Sequence, residues 1–178
     1  MAATNDEKGW ILRSQNGDHE AFEALVKSYQ RMIHSLTFRM TGSFADAEDL
    51  AQETFCQAYQ QLGSFRAEAR FSSWLYRIAV NRCLNWKKRQ AHREQLHAEW
   101  SSRQETSTAC KTTLAQQVQE ALMTLHVKQR AAIVLTVYDG LSHAEAARIL
   151  GCSEATVSWR VFAARNKLKR LLKPNALE

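Results

Sequence analysis

Apolar residues recur at spacings of three and four along most of the chain. Phe22, Leu25, Val26, Tyr29, Ile33, Leu36 and Met40 fall on one stripe, the period of a helix that buries one face. Asp18, two residues before Glu20, predicts the N-cap of that helix, and Gly42 its stop. Leu50, Ala51, Phe55, Ala58 and Leu62 repeat the pattern. Ser43 and Asp46, three residues apart, give it a start resembling a capping box, and Gly63 closes it. After a short connector, residues 64–70, comes a third stripe over 72–90 made of Leu75, Ile78, Ala79, Cys83 and Trp86. Three amphipathic helices joined by short loops predict a compact bundle. Residues 1–17 are polar, contain Gly9 and Gly17, and read as a frayed or short-helical lead.

From 91 to 113 the period dissolves into Ser, Thr, Gln and Glu, with Trp100 the one large aromatic. Such a stretch buries too little to fold by itself and reads as a linker, partly helical at its start. Periodicity returns at Leu114, Val118, Leu122 and Leu125, and again over 128–138. The expected organisation is all-α: an N-terminal helical domain over 1–90, a flexible linker over 91–113, and a C-terminal helical domain over 114–178. One proline and six glycines in 178 residues agree with long helices rather than a strand-rich fold.

The strongest local signal lies between Asp139 and Lys169. Gly140 ends one helix, and Ser142 with Glu145 opens another as a capping box. Gly151, Cys152 and Ser153 then form a tight turn, with Ser153 placed to cap a helix that turns Val157, Val161 and Leu168 inward. Helix, three-residue turn, helix is the helix-turn-helix, whose second helix enters the major groove of DNA. Its outward positions would be Glu154, Ala155, Thr156, Ser158, Trp159 and Arg160, with Arg165, Lys167, Lys169, Arg170 and Lys173 beyond. An ordinary helical hairpin with a solvated basic tail is the plainer alternative, but it leaves the two caps and the basic run without a common cause. Arg160 is placed to reach a guanine edge or a phosphate, Arg165 and Lys169 to position the helix on the backbone. Trp159 can meet a thymine methyl or pack on the preceding helix, and packing is the expectation.

Charge sharpens this picture through its distribution more than through the net value of +6. Between 41 and 65 there is no Lys or Arg, while Asp46, Glu48, Asp49 and Glu53 share one helix. An acidic helix repels DNA and fits a basic protein partner, although a solvated helix face is the default for such a run alone. Between 69 and 93 there is no Asp or Glu, while Arg70, Arg77, Arg82, Lys87, Lys88, Arg89 and Arg93 accumulate. Trp74, Arg77, Asn81, Asn85 and Lys88 lie opposite the core stripe of this helix. Ring, amide and cation on one face suit single-stranded DNA, with burial of Trp74 in the core as the competing reading.

Other chemistry is poorly supported. Cys56, Cys83, Cys110 and Cys152 are scattered and read as reduced thiols of a cytoplasmic protein. The six histidines show no metal-ligand spacing, so no metal and no cofactor are expected. No apolar run approaches a membrane span.

Three segments carry a resemblance to a known family. Residues 46–55, Asp-Ala-Glu-Asp-Leu-Ala-Gln-Glu-Thr-Phe, resemble a signature of the extracytoplasmic-function (ECF) sigma factors of bacterial RNA polymerase. Residues 71–81, Phe-Ser-Ser-Trp-Leu-Tyr-Arg-Ile-Ala-Val-Asn, resemble the family's next segment, and 140–151 with Thr156 and Val157 resemble its C-terminal helix-turn-helix. The matches span 18–89 and 114–172, in the family's order. The resemblance implies a polymerase-binding surface at Asp46, Glu48, Asp49, Gln52, Glu53 and Phe55. It implies recognition and melting of the minus-ten promoter element by Phe65, Arg66, Arg70, Trp74, Arg77, Asn81 and Lys88. Reading of the minus-thirty-five element as duplex falls to Glu154, Ala155, Thr156, Ser158, Trp159, Arg160, Arg165 and Lys169. Core RNA polymerase, promoter DNA and an anti-sigma factor are the implied partners. The chain departs from the family at His126, where proline is common, at Ser158, often lysine, at Trp159, often small and polar, and at Ala163, near which arginine is frequent. The first departure loosens the expected start of the following helix; the others bear on which promoter sequence is read.

Two other functions compete. A stand-alone helix-turn-helix regulator explains the C-terminal third but gives the acidic helix and the Trp/Asn/Arg helix no task. A nucleic-acid enzyme lacks support, since no paired carboxylates, Ser/His/Asp order or phosphate-binding glycine loop is present.

Overall fold

The computed structural model describes residues 3–98 and 113–172, and these are helical apart from their connections, with no strand among them. Helices α1 (Ala3–Gln15), α2 (His19–Thr41), α3 (Phe44–Gln61) and α4 (Phe71–Ala98) make the N-terminal domain. Helices α5 (Leu114–Met123), α6 (Val127–Ile133), α7 (His143–Leu150) and α8 (Glu154–Leu171) make the C-terminal one. A 3₁₀ turn, Leu62–Ser64, follows α3, and a π-helical segment, Val134–Tyr138, follows α6. Helix α4 outruns its expected end at residue 90 by two turns. Most of the linker, with Trp100 and Cys110, lies outside the described residues, as does Lys173.

Local chemistry sets the boundaries. The Asp18 carboxylate accepts from the Ala21 amide, and Gly42 closes α2 at φ 75°, a left-handed conformation that glycine adopts without penalty. Ser43 caps α3 by accepting from Asp46 N–H, and Thr37 of α2 reaches the Ala47 carbonyl at 2.9 Å, which pins α2 to α3. Ser142 and Glu145 complete a reciprocal capping box; Gly151 at φ 60° makes the turn, and Ser153 caps α8. His126 corrects the expectation of a loosely set α6: its Nδ1 accepts from Lys128 N–H at 3.3 Å, so a side-chain cap stands where a proline would.

Leu25, Ile33, Leu36, Met40, Leu50, Leu75 and Val80 are almost wholly buried between α2, α3 and α4. That core runs without a break into Ala131, Val134, Leu135, Ala146 and Val157 of the C-terminal domain. A smaller cluster of Leu122, Leu125, Ile133 and Ala164 joins α5, α6 and α8. The two domains therefore pack on each other, which the sequence pattern of two bundles and a linker did not foretell.

Candidate functional site

Three surfaces gather the residues singled out from the sequence. The first is the outer side of α2 and α3. Glu48, Asp49 and Gln52 are exposed there, as expected of a docking face. Asp46 and Glu53 are more engaged: Asp46 accepts from the Trp86 indole N–H at 3.2 Å, and Glu53 pairs with Arg82 at 3.2 Å. Arg82 also donates to Gln57 at 2.6 Å, so these acids fasten α3 to α4 as well as colouring its surface. Beside them runs a largely apolar groove of about 1150 Å³. Phe22, Val26 and Phe38 of α2 and Phe44, Phe55 and Tyr59 of α3 line it, with Glu48 and Gln52 on its rim. Phe44 is 65% exposed. Sequence periodicity assigned Phe22, Val26 and Phe55 to buried stripes, and the family resemblance alone placed Glu48, Gln52 and Phe55 on this surface. The missed signal is the width of the apolar arc on α2, broader than one bundle needs to bury.

The second surface is the connector and α4. Arg66, Arg70, Arg77, Asn81 and Lys88 are all exposed. Trp74 is half-buried, so neither competing reading holds whole: one side of its ring packs on Phe65 and Phe71, centroids 5.2 and 5.4 Å away, and the rest remains accessible. Phe65 corrects the expectation of a DNA-contacting residue. It is 9% exposed and stacked edge-on against Phe71 at 5.5 Å, so it holds the connector in place rather than reaching a base. The Gln15 side chain adds a second tether that the sequence did not announce, donating to the carbonyls of Leu62 and Phe65 at 3.0 and 2.9 Å.

The third surface is α8. Glu154, Ala155, Ser158, Trp159, Arg165 and Lys169 are exposed and Thr156 half-buried, while Val157, Val161 and Ala164 face inward. Trp159 contradicts the expectation that it packs on the preceding helix: it is 63% exposed, and Phe162 next to it is 65% exposed. Two large aromatics open to solvent on a basic helix have no fold role. Arg160 sits at the border of the buried stripe, half-buried, its guanidinium donating to the Cys152 thiol at 3.4 Å across the turn. Ser158 is held by His143 of α7 at 2.8 Å, a partnership invisible to sequence pattern because it spans the turn.

Capping bonds from the Ser142 hydroxyl and amide hold Glu145 below the usual carboxylate range. Burial lifts the Cys83 thiol to about 12, which keeps it protonated and unreactive inside the core. Among the described residues no cluster of His, Cys, Asp and Glu could hold a metal ion, and no helix is long and apolar enough to cross a membrane.

Comparison with known proteins adds two family matches, sigma-70 region 2 over residues 25–93 and sigma-70 region 4 over 115–168. The chain is 40% identical over 157 residues to the ECF RNA polymerase sigma factor SigM of Mycobacterium tuberculosis, covering 88% of this chain and 79% of that one. It is 35% identical over 178 residues to the ECF RNA polymerase sigma-E factor of Escherichia coli, covering 92% and 93%. Among solved structures, the sigma factor RpoE of Bartonella quintana, in complex with the anti-sigma factor NepR, aligns with a TM-score of 0.73 at 26% identity, covering 86% and 98% of the two chains. CnrH in complex with the cytosolic domain of CnrY aligns with a TM-score of 0.70 at 28% identity, covering 94% and 97%.

Proposed function

We propose, from the premise that this chain belongs to the ECF RNA polymerase sigma factors, a division of labour among its helices. As a member of that family it is a transcription initiation factor, which binds core RNA polymerase and directs it to promoters through a helix-turn-helix and a second DNA-binding region. The surface of α3, with Glu48, Asp49, Gln52 and the apolar groove beside them, is the dock for the polymerase. Arg66, Arg70, Trp74, Arg77, Asn81 and Lys88 capture the separated minus-ten strand, and Phe65 supports the connector from beneath. Glu154, Ala155, Thr156, Ser158, Trp159 and Arg160 read the minus-thirty-five duplex, with Arg165 and Lys169 on its backbone. The chain contributes binding energy and base selection, and the chemistry of RNA synthesis stays with the polymerase in the cytoplasm. An anti-sigma factor is a further partner, since one structural neighbour, at a TM-score of 0.73, is a sigma factor held in complex with an anti-sigma factor.

The observation that carries this reading is the pairing of opposite surfaces in one bundle. Helix α3 presents acids and an apolar groove, and α4, clamped to it through Arg82 and Trp86, presents cations and amides. A stand-alone regulator needs neither. Gel shifts on promoter duplex, with and without core polymerase, separate the two. A sigma factor forms its specific, heparin-resistant complex only with polymerase, and specific binding by the chain alone at equal affinity overturns the reading. Asp49→Lys should weaken capture of core polymerase at least tenfold and leave the fold intact, because Asp49 is exposed.

A further inference from the structure

Helix α1 is more than the frayed lead that its polar composition predicts. Trp10 packs against the core of the N-terminal domain, and Ile11 and Ser14 are buried. Two contacts fasten this helix to α2. The Tyr29 hydroxyl donates to the Glu7 carboxylate, and Arg13 pairs with Asp18 at 2.6 Å. Gln15, the last residue of α1, therefore projects from a fixed origin. Its side-chain amide donates to the carbonyls of Leu62, at 3.0 Å, and Phe65, at 2.9 Å. These two carbonyls flank the 3₁₀ turn from which the connector to α4 departs.

Residues 66–70 of that connector are all exposed. Ala67 stands at φ 54°, in the left-handed region that a residue with a Cβ keeps only where surrounding structure fixes it. At the far end the Arg70 carbonyl accepts from Trp74 N–H at 3.2 Å, in the first turn of α4. The bend is thus set from two sides, by α4 at Arg70 and by α1 at Phe65. The Phe65 ring rests on Phe71, but the bonds from Gln15 grip the backbone itself. They fix the direction in which the chain leaves Phe65, and with it the point from which Arg66 and Arg70 reach out. A loop ordered in advance gives up less freedom when it captures a strand.

We propose that Gln15 is a positioning residue for capture of the separated minus-ten strand: from α1 it fixes the connector on which Arg66 and Arg70 stand. Base selection at this element then depends on a residue that touches no DNA. The proposal rests on the assignment of the connector and α4 to the minus-ten strand. Without the two bonds from Gln15, Arg66 and Arg70 keep their charge but lose their fixed placement. Attraction to any strand survives, since it needs only the cations. Discrimination between strands declines, because it needs those cations and the Trp74 ring in register with particular bases.

The test uses the full chain assembled with core polymerase. The wild-type assembly selects its preferred single strand from a randomised DNA pool, and affinities for that strand and for a shuffled one are then compared. Gln15→Ala removes both bonds. Gln15→Glu keeps the length of the side chain, but at neutral pH its carboxylate accepts and cannot donate to the two carbonyls. Each variant should bind the preferred strand about tenfold more weakly, bind the shuffled strand as before, and capture core polymerase unchanged. Ser14→Ala is the control within α1, since the buried Ser14 hydroxyl has no hydrogen-bond partner among the described residues; it should keep the wild-type preference. A ratio of the two affinities that stays at the wild-type value in both Gln15 variants overturns the role of Gln15. So does an equal loss in Ser14→Ala, or a loss of polymerase capture that matches the loss of strand binding, because either marks a general loosening of the fold. A wild-type assembly that selects no strand at all overturns the minus-ten assignment beneath the proposal, an outcome distinct from selection that survives the Gln15 substitutions.

Discussion

Helices α4 and α8 each carry cations and a tryptophan on the surface proposed to meet DNA, and the two tryptophans sit in opposite surroundings. Trp74 leans on Phe65 and Phe71 and shares their packing, while Trp159 and its neighbour Phe162 stand well out in solvent. The difference fits the two substrates. A separated strand has no shape of its own, so a protein that captures it needs a rigid stacking platform built in advance. Duplex arrives as a rigid groove, and a recognition helix can offer side chains that become ordered only on contact. On the proposed assignment, stability and recognition are coupled at α4 and nearly independent at α8.

The largest effect should come from breaking that coupling. Trp74→Ala removes a ring from the aromatic cluster and should cost about 2–3 kcal/mol of unfolding free energy in urea, with loss of promoter opening. Trp159→Ala, the matching change, should leave stability within about 0.5 kcal/mol while weakening duplex binding, which thermal melts and gel shifts read separately. Equal destabilisation by the two would erase the distinction. Arg160→Ala comes next, with a cost of about 1–3 kcal/mol at the preferred upstream element and a flattened base preference in selection from a randomised pool. A preference unchanged in that variant moves the reading residue elsewhere on α8.

A somewhat smaller effect separates opening from binding. Arg77→Ala and Asn81→Ala should each lower open-complex formation about tenfold, with closed-complex binding little changed and activity recovered on a premelted template; permanganate footprinting measures this. The smallest change should be Lys169→Ala, which weakens all duplex sequences alike and reduces the slope of affinity against salt by about one. A sequence-dependent loss there would make Lys169 a reader rather than an anchor.

Much of this was legible from the residues alone. Ser43, Ser142 and Ser153 act as caps where their spacing placed them, and the glycines at 42 and 151 turn the chain with positive φ. Such features depend on neighbours three or four residues apart, so sequence pattern contains them. Phe65, Trp159 and the groove of Phe22, Phe38 and Phe44 were not legible, because each depends on which surface of a helix another element covers. A period of 3.6 identifies an apolar face but not whether a partner helix is wide enough to bury it all.

The sequence by itself determined the main helices, most of their ends, the helix-turn-helix and the opposite charges of α3 and α4, since local hydrogen bonding and patterning decide these within a few turns. Tertiary structure alone decided how the domains meet. Arg130 lies within the periodic stretch 128–138, where nothing in the local pattern marks it out. It becomes the most deeply buried charge among the described residues because carbonyls from 122, 123, 125 and 40 converge on it, the last from ninety residues away. Asp139 likewise reads as a turn residue before Gly140, and only the arrival of Tyr76 and Arg39 from two other helices encloses it. Long-range burial of this kind follows from how whole surfaces fit together, and no window of local sequence holds that information.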